Sequence, residues 1–346
     1  MKKIRFGMTG SGFMFITHAE ALKLLPNDTE LIAVWGGTRA PVQAQRYGIA
    51  CEPSLEALMA RPDIDAIIIT TPHQFHTKET LLALDSGKHV LVEKPMATTV
   101  EDCDLMIARA KKQGLTIATG YHQRFRQNNA RAKELIASGV IGKIETVQLS
   151  MPLYKAAPKD DAKIGHSWAW WDDPASLGHL LNSLTHGVDM VRWFTGAEVA
   201  TVSAFCRSFI PGLKVEDTTF TLLEFTNGTL GSFFSSRAFP APIFKDEDFR
   251  FRLMGSEGLI DLNPYSELRL ADKDGWRVIC EQPPISGLGF DKVRMGSYCQ
   301  QIQYFIDGIR GKPMNAGNGP DGRAGVAACL AMLQSSKERR WVDVAP

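Results

Sequence analysis

The sequence has no long hydrophobic run and no excess of one charge. Its longest apolar stretches, such as residues 66–71, are far shorter than the about 20 residues of a membrane-spanning helix. The 39 basic and 38 acidic residues give a net charge of +1 at pH 7. This balance provides no field to attract a nucleic-acid backbone or an anionic membrane surface. The sequence therefore predicts neither a membrane protein nor a nucleic-acid-binding protein.

Cysteine is also scarce and widely spaced. The six cysteines contain no C-x-x-C pair, which argues against a disulfide framework and against a zinc cluster. The histidine and acidic residues show no spacing typical of a metal site. We therefore expect no metal ion and a reducing, cytoplasmic location.

What is present is the pattern of two domains, as the length of 346 residues suggests. Residues 1–120 alternate short β-branched runs with helical stretches, which is typical of a parallel sheet with crossover helices. The first strand is predicted at residues 3–9 and the first helix at residues 18–25. We predict an α/β fold whose first domain is a doubly wound Rossmann domain that binds a dinucleotide.

Residues 121–346 have a different pattern, in which apolar and polar residues alternate. Residues 218–225 and 229–234 flank Asn227-Gly228, a strong signal for a β-hairpin. We predict an α+β domain for substrate binding and oligomerisation, with a large, mainly antiparallel open sheet that buries one face. Two later segments are apolar at helical spacing, and either is able to pack back onto the first domain: residues 297–309 and 322–336.

The first strand runs directly into a glycine-rich turn. Gly10 is placed to make a tight turn, and Gly12 lets the backbone approach a pyrophosphate at a helix N-terminus. Phe13 and Met14 follow and are predicted to lie at the same cofactor site. Phe15 occupies the usual position of a third glycine, so we expect the packing of the first helix to differ from the standard pattern.

The second predicted strand ends without the carboxylate that normally holds the adenosine ribose of NAD. Gly37, Thr38 and Arg39 stand there instead, and the last two can donate charge-assisted hydrogen bonds to a 2′-phosphate. The pattern indicates NAD(P) as the cofactor and slightly favours NADP over NAD. In the alternative, Arg39 stacks on the adenine of NAD or is solvated.

Two further groups of polar residues follow predicted strands. Thr71, Pro72 and His76 come after one strand, and Glu93 and Lys94 come after the next. Open α/β sheets bind ligands at the carboxyl ends of their strands. A lysine partly desolvated there can contact a substrate hydroxyl and share its proton. By itself, Lys94 fits a surface ion pair better than this role.

Taken together, these residues resemble the glucose-fructose oxidoreductase and inositol dehydrogenase (Gfo/Idh/MocA) family in order and spacing. The resemblance includes the glycine turn, the Glu-Lys-Pro motif ending at Pro95, a G-x-x-x-R-F segment at residues 120–125, and a helix at residues 182–189. It covers nearly the whole chain. It implies an NAD(P)-dependent oxidoreductase acting on a sugar or polyol.

The resemblance also implies roles for individual residues. Lys94 and His186 correspond to the residues that contact the hydroxyl being oxidised. Asn182 stands where the family usually has an aspartate, four residues before His186 and thus on the same helix face. An amide can orient a hydroxyl but cannot titrate. By the same resemblance we expect His122 at the cofactor and Tyr121 and Arg124 at the substrate.

Three of the seven tryptophans lie in residues 166–173, beside Asp172 and Asp173. Aromatic faces next to carboxylates suit a carbohydrate ring, so Trp168 and Trp171 are predicted to contact the substrate. A packed loop or a subunit contact explains the same residues equally well.

We therefore predict hydride transfer between a nicotinamide cofactor and a sugar, polyol or sugar derivative. One alternative is an NAD-dependent glycosidase that oxidises the sugar transiently, eliminates the glycosidic bond and adds water. Another is a non-catalytic, cofactor-dependent sensor. The expected partner is a second copy of the chain, giving a homodimer or homotetramer through the C-terminal sheet. For His18 and His179 the sequence suggests no partner.

Overall fold

The chain divides into two compact units. A computed structural model describes residues 2–154, 172–240, 249–282, 292–314 and 317–345. The first unit comprises Met1–His122 and Arg294–Arg323, and the second comprises Gln123–Val293 and Ala324–Pro346. The first unit thus includes a late segment of the chain that is remote in sequence from its Rossmann-like part.

Strands form two sheets in the described residues. Their bounds are β1 Ile4–Thr9, β2 Thr29–Trp35, β3 Ala50–Cys51, β4 Ala66–Ile69, β5 His89–Val92, β6 Ile117–Thr119, β7 Ile144–Tyr154, β8 Val199–Arg207, β9 Thr218–Phe225, β10 Leu230–Phe239, β11 Arg250–Gly255, β12 Leu259–Leu262, β13 Glu267–Asp272, β14 Gly275–Glu281 and β15 Val342–Asp343.

Helices connect or cover these strands. Their bounds are α1 Phe13–Lys23, α2 Ala40–Tyr47, α3 Leu55–Ala60, α4 His76–Asp85, α5 Val100–Gln113, α6 Gln127–Ala137, α7 Thr185–Thr195, α8 Lys292–Ile309 and α9 Gly319–Glu338. Short 3-10 helices lie at His73–Phe75, His122–Phe125 and Pro174–Ser176, and a π-helical turn lies at Leu180–Leu184. Among the described helices, none is both long enough and apolar enough to cross a membrane.

The sheet of the first unit is parallel, with the strand order β3-β2-β1-β4-β5-β6. This is the order of a doubly wound dinucleotide-binding domain. The chain reverses its winding direction between β1 and β4, which opens a crevice at their carboxyl ends. The predicted Rossmann fold is confirmed.

Helix α1 begins at Phe13, five residues before the predicted start. The expectation that Phe15 would disturb the standard packing was based on the missing third glycine. In the structure, Phe15 is fully buried in the core of the first unit, edge-on to Tyr47 at 5.8 Å between ring centroids. The core has room for this ring, so a third glycine is not needed. Helix α8 completes the same core, and the ring centroid of its Phe305 lies 6.4 Å from that of Phe6 on β1.

The sheet of the second unit has nine strands in the order β14-β13-β12-β11-β7-β10-β9-β8-β15. Its strand pairs are antiparallel except for β7 and β10, which are parallel. The predicted large, mainly antiparallel sheet is confirmed. So is the hairpin at Asn227-Gly228: Gly228 has φ +84°, and the Phe225 N–H donates to the Thr229 carbonyl at 2.9 Å.

One detail of this sheet differs from the expectation. Alternation along β9 buries Leu223 and Phe225 on one face, as predicted for a sheet with one buried side. The opposite face is also apolar, because Phe220 and Leu222 are 55% and 56% exposed there. An alternating pattern shows which residues share a face, but it does not show that the second face is polar.

Candidate functional site

The glycine turn lies between β1 and α1, at the carboxyl end of β1. Gly10 has φ +82°, and a Cβ at this position would lie 2.8 Å from the main-chain oxygen of Thr70. Gly12 is the N-cap of α1 and contributes no side-chain cap. The two glycines let an anion approach the main chain closely. Because no side chain caps α1, the N–H groups of its first turn can donate hydrogen bonds to that anion. The first unit therefore has the features that a pyrophosphate-binding turn requires.

The end of β2 lies beside this turn. The Gly10 N–H donates to the carbonyl of Trp35, the last residue of β2, at 2.8 Å. Gly37 has φ +75° and faces Ser11, whose Oγ lies 2.5 Å from the position of an added Cβ. The Arg39 guanidinium lies over the turn, 3.6 Å from the position of a Cβ at Gly12. Arg39 is thus placed next to the glycine turn, and Thr38 is exposed beside it.

Thr71, at the end of β4, is bound to a buried acid that the sequence analysis did not identify. The hydroxyls of Thr9 and Thr71 both donate to Oε2 of Glu79 on α4, at 2.6 and 2.9 Å. Burial raises the pKa of Glu79, while the two hydroxyls act in the opposite direction. Glu79 thereby ties the carboxyl ends of β1 and β4 together. Pro72 follows Thr71 and is partly exposed.

His76 is fully buried and holds two loops. Its Nδ1 lies 2.8 Å from the carbonyl of Pro95, and its Nε2 lies 2.8 Å from the carbonyl of Thr71. Desolvation lowers the pKa of His76, although both carbonyls favour the charged form. Both ring nitrogens thus contact main chain, so the structure places His76 as a residue that positions the Thr71 and Pro95 loops.

Glu93 is buried and bound to His18, for which the sequence suggested no partner. His18 Nε2 lies 2.8 Å from Glu93 Oε1, and the Lys94 main-chain N–H donates to Glu93 Oε2 at 3.3 Å. Gly120 lies against the carboxyl group: an added Cβ would lie 3.0 Å from Glu93 Oε1. Both carboxylate oxygens therefore have internal partners.

Lys94 follows β5 at the same edge of the sheet as the glycine turn. Desolvation lowers the pKa of its ammonium group, and the Glu93 charge raises it. A lysine with a lowered pKa at a ligand-binding edge can release and accept a proton more readily than an exposed lysine. The contact of Lys94 with a substrate hydroxyl stays a prediction.

His122 and helix α8 form an aromatic cluster in the first unit. The His122 ring stacks on Tyr298 at 4.4 Å, and His18 meets the same ring edge-on at 5.6 Å. The buried Arg294 guanidinium lies 5.2 Å from the Tyr298 ring centre and 4.8 Å from that of Phe13. Tyr298 and Arg294 were missed because they lie about 170 to 280 residues along the chain from the motifs they contact.

Tyr121 and Arg124 are both buried, at 1% and 8% exposure. Arg124 donates two hydrogen bonds to Asp189 on α7, from Nε at 2.9 Å and from Nη2 at 2.5 Å. Its guanidinium also lies 5.8 Å from the ring centre of Trp193. A bidentate buried pair holds Arg124 in place. The structure thus ties its charge to Asp189, while its predicted contact with substrate stays a prediction.

Asn182 and His186 belong to the second unit and are nearly buried, at 2% and 8% exposure. They do not share one regular α-helix: Asn182 lies in the π-helical turn Leu180–Leu184, and His186 lies in the first turn of α7. In a π-helical turn the hydrogen bonds span five residues instead of four. A spacing of four residues therefore does not put Asn182 and His186 on one face, as it would in a regular α-helix. Single π-helical turns are frequent at functional sites.

The start of this π-helical turn is held by groups that the sequence analysis did not identify. His179 contacts Ser183 at 3.1 Å and Ser235 on β10 at 2.9 Å. Glu216 accepts the Leu180 N–H at 2.5 Å, and burial raises the pKa of Glu216 to about 7. No local motif predicts these contacts, because Glu216 lies 36 residues from Leu180 and Ser235 lies 56 residues from His179.

Trp168 and Trp171 lie outside the described residues. The neighbouring Asp172 accepts a hydrogen bond from Arg237 at 2.5 Å. Within the described ranges, no group of three or more His, Cys, Asp and Glu side chains is arranged to hold a metal ion.

Two sequence models of one family match this chain. One, described as "Oxidoreductase family, NAD-binding Rossmann fold", matches residues 4–121. The other, described as the "GFO/IDH/MocA C-terminal domain", matches residues 129–261. The chain belongs to the Gfo/Idh/MocA oxidoreductase family.

Individual members of the Gfo/Idh/MocA family are similar over different lengths. Myo-inositol 2-dehydrogenase of Thermotoga maritima is 26% identical over 350 residues, covering 99% of this chain and 98% of that protein. The 1-carboxy-3-chloro-3,4-dihydroxycyclo hexa-1,5-diene dehydrogenase of Comamonas testosteroni is 29% identical over 231 residues. This match covers 65% of this chain and 56% of that relative, so the chain spans little more than half of its length.

A solved structure has the same fold. It is a levoglucosan dehydrogenase in complex with NADH and L-sorbose, with a TM-score of 0.87, 24% identity and coverage of 100% of both chains. The predictions of the Gfo/Idh/MocA family, of an oxidoreductase and of a nicotinamide cofactor are confirmed. Both relatives are named as dehydrogenases, so the comparisons do not favour the alternative of an NAD-dependent glycosidase.

Proposed function

We propose that this chain oxidises a carbinol carbon of a sugar or polyol with a nicotinamide cofactor, or reduces the corresponding carbonyl. The observation that carries the proposal is the position of Lys94, directly after β5 and at the same sheet edge as the glycine turn. Related dehydrogenases named for inositol and levoglucosan support the substrate class.

The residues of the first unit fit the dinucleotide. Gly12 and the first turn of α1 offer main-chain N–H groups to its pyrophosphate, and the positive φ of Gly10 explains why glycine is required in the turn. When bound, the nicotinamide ring supplies the acceptor or donor of the hydride. The rest of the chemistry concerns the hydroxyl proton, which must leave as the carbinol becomes a carbonyl.

Lys94 and His186 are the residues we assign to this proton. The lowered pKa of Lys94 lets its amine accept the proton while the carbinol carbon loses hydride, and the reverse reaction returns it. His186 is the second base that the family resemblance suggests. Asn182 can orient a hydroxyl through its amide but cannot exchange a proton.

A substrate screen tests the reaction class. Polyols, aldoses, sugar acids and aryl glycosides are each incubated with NAD and with NADP, and the absorbance of reduced nicotinamide is followed together with aglycone release. We expect net reduction of the cofactor in step with carbonyl product. Aglycone release without net cofactor reduction would support the glycosidase instead.

We also propose that NADP is preferred, because Arg39 lies over the glycine turn and β2 ends without a carboxylate. Arg39→Ala is expected to weaken NADP binding by the about 1.5–3 kcal/mol of a charged hydrogen bond and to leave NAD binding nearly unchanged. Fluorescence titration with NADPH and NADH measures both affinities. Arg46→Ala, which removes a positive charge from the other end of α2, is the control. Equal losses for the two cofactors would disprove the phosphate contact.

For the partner, we propose a second copy of the chain on the exposed face of the nine-stranded sheet. This face carries Phe205, Phe220 and Leu222, each more than half exposed, around a groove that also includes Arg252. An apolar sheet face of this kind, bordered by polar residues, is typical of an association surface. The whole face belongs to the second unit, so a homodimer or homotetramer would form through this sheet.

Leu222→Glu is expected to convert the oligomer to monomers, because it places a charge in the centre of the apolar face. Sedimentation equilibrium measures the mass. Leu105→Glu, at an exposed leucine of the first unit, serves as the matched control and should leave the mass unchanged. An unchanged mass for Leu222→Glu would place the interface elsewhere.

The cytoplasmic location stays a prediction from the sequence.

A further inference from the structure

The buried pair of His18 and Glu93 links the helix of the glycine turn to the Glu-Lys-Pro motif. His18 lies on α1, which begins at the glycine turn, and Glu93 directly precedes Lys94. The side chains of His18 and Glu93 are 0% and 6% exposed, and their facing atoms lie 2.8 Å apart. A hydrogen bond between two buried polar groups restricts both side chains to one geometry.

Glu93 has little freedom to reorient. Its Oε1 faces His18, its Oε2 accepts the Lys94 main-chain N–H, and Gly120 packs against the carboxyl group from a third direction. The main chain of Glu93 is also fixed, because its N–H donates to the Ile69 carbonyl of β4 at 3.0 Å. The carboxylate is therefore a fixed negative charge beside Lys94.

His18 is held by a second contact. Its ring meets the Tyr298 ring edge-on, with an interplanar angle of 85°, and Tyr298 in turn stacks on His122. His18 Nδ1 is buried and has no hydrogen-bond partner among the described residues. The pair therefore depends on Nε2 alone, and the ring orientation is determined by packing against α8.

From this arrangement we propose that His18 is a positioning residue for Lys94 and acts through Glu93. The proposal rests on the proposed function in one respect, namely that Lys94 exchanges the substrate proton. Without His18, the buried Glu93 would lose the donor to Oε1, and its carboxyl group would turn away towards other donors. This movement takes the negative charge away from Lys94, where it stabilises the ammonium form, so more of the free amine would be present at a given pH.

Two substitutions of His18 distinguish the effect of losing the hydrogen bond to Glu93 from the effect of losing the imidazole ring. In His18→Gln the amide Nε2 lies the same number of bonds from Cβ as His Nε2, so it can still donate to Glu93. In His18→Asn the amide nitrogen lies one bond closer to Cβ and corresponds to Nδ1, so the bond to Glu93 is lost. Both variants remove the ring and its contact with Tyr298.

The first measurement does not require catalysis. The cofactor-free protein is treated with a limiting amine-reactive reagent at pH 7, and labelling of Lys94 is quantified by peptide mass spectrometry. Because a change of one pKa unit alters the free-amine fraction about tenfold, we expect labelling to rise by about three- to tenfold in His18→Asn. In His18→Gln it should stay within about twofold of wild type. Lys78, an exposed lysine of α4, is the internal reference in each sample.

The second measurement is steady-state kinetics with the substrate found in the screen. His18→Asn should move the acidic limb of the kcat–pH profile for oxidation to lower pH by about half to one pH unit, while the dissociation constant for NADH stays near wild type, and His18→Gln should keep the wild-type profile. If Lys94 labelling responds but no sugar or polyol is oxidised, the proposed function fails and the positioning role stands. If labelling is the same in both folded variants, the positioning role is overturned.

Gly120→Ala provides an independent route to the same displacement. Its Cβ would press on the Glu93 carboxyl group, whose Oε1 would lie 3.0 Å away. We expect it to raise Lys94 labelling as His18→Asn does, and it decides the question if His18→Asn does not fold. Wild-type labelling in a folded Gly120→Ala protein would overturn the proposal.

Discussion

Replacement of Lys94 by alanine is expected to lower turnover by about 100-fold or more, while the affinity for the nicotinamide cofactor stays near wild type. The physical reason is the position of the amine at the carboxyl end of β5, where desolvation lowers its pKa. A water molecule in its place has neither the pKa nor the fixed geometry to exchange the hydroxyl proton. Stopped-flow or steady-state kinetics measure turnover, and NADH fluorescence measures binding.

Two further variants make this prediction specific. Lys94→Arg keeps the positive charge, but a guanidinium is not deprotonated in proteins, so it should also be nearly inactive. Lys78→Ala removes an exposed lysine of the same unit and should have normal kinetics. If Lys94→Ala turns over the substrate at the wild-type rate, the proton must go to another residue.

The second large effect is expected at Gly10. A methyl group there would lie 2.8 Å from the main-chain oxygen of Thr70, in a backbone conformation with φ +82°. Since main chain cannot rotate away as a side chain can, Gly10→Ala must move the turn and the start of α1. We expect at least about a tenfold loss of NADH affinity, equivalent to about 1.4 kcal/mol, in addition to lower thermal stability.

Gly48→Ala is the matched control for this substitution. Gly48 ends α2 with φ +65°, but no atom lies within 4 Å of its added Cβ. It therefore has the same left-handed strain without the collision, and NADH binding should stay near wild type. Thermal unfolding and fluorescence titration are compared for both variants. Equal NADH affinities for Gly10→Ala and Gly48→Ala would mean that the turn does not contact the cofactor.

Residues at the cofactor turn could be predicted because the requirement is local. Gly10 needs a positive φ, and Gly12 precedes a helix, so both conditions follow from a few consecutive residues. The Asn227-Gly228 hairpin is local in the same sense. The predicted start of α1 was wrong because Phe13, Phe15 and Ile16 have weak helix propensity, and burial of Phe15 in the core outweighs it.

Contacts between distant residues could not be predicted. His18 meets Glu93 across 75 residues, and Arg294 meets Thr17 across 277 residues. The same applies to Glu79: in sequence it is an ordinary polar residue of a helix, and only the fold brings it under the hydroxyls of Thr9 and Thr71. A single sequence shows no sign of such pairs, because each partner is compatible with many environments.

The sequence by itself determined the class of fold, the positions of the glycine turn and of Lys94, and the family to which the chain belongs. These depend on strand periodicity and on short motifs, whose physical requirements act over a few residues. Only the tertiary structure decided that Glu93 is bound to His18, that Arg124 is paired with Asp189, and that Asn182 lies in a π-helical turn. Those features depend on which buried polar groups meet, and packing of the whole chain decides that.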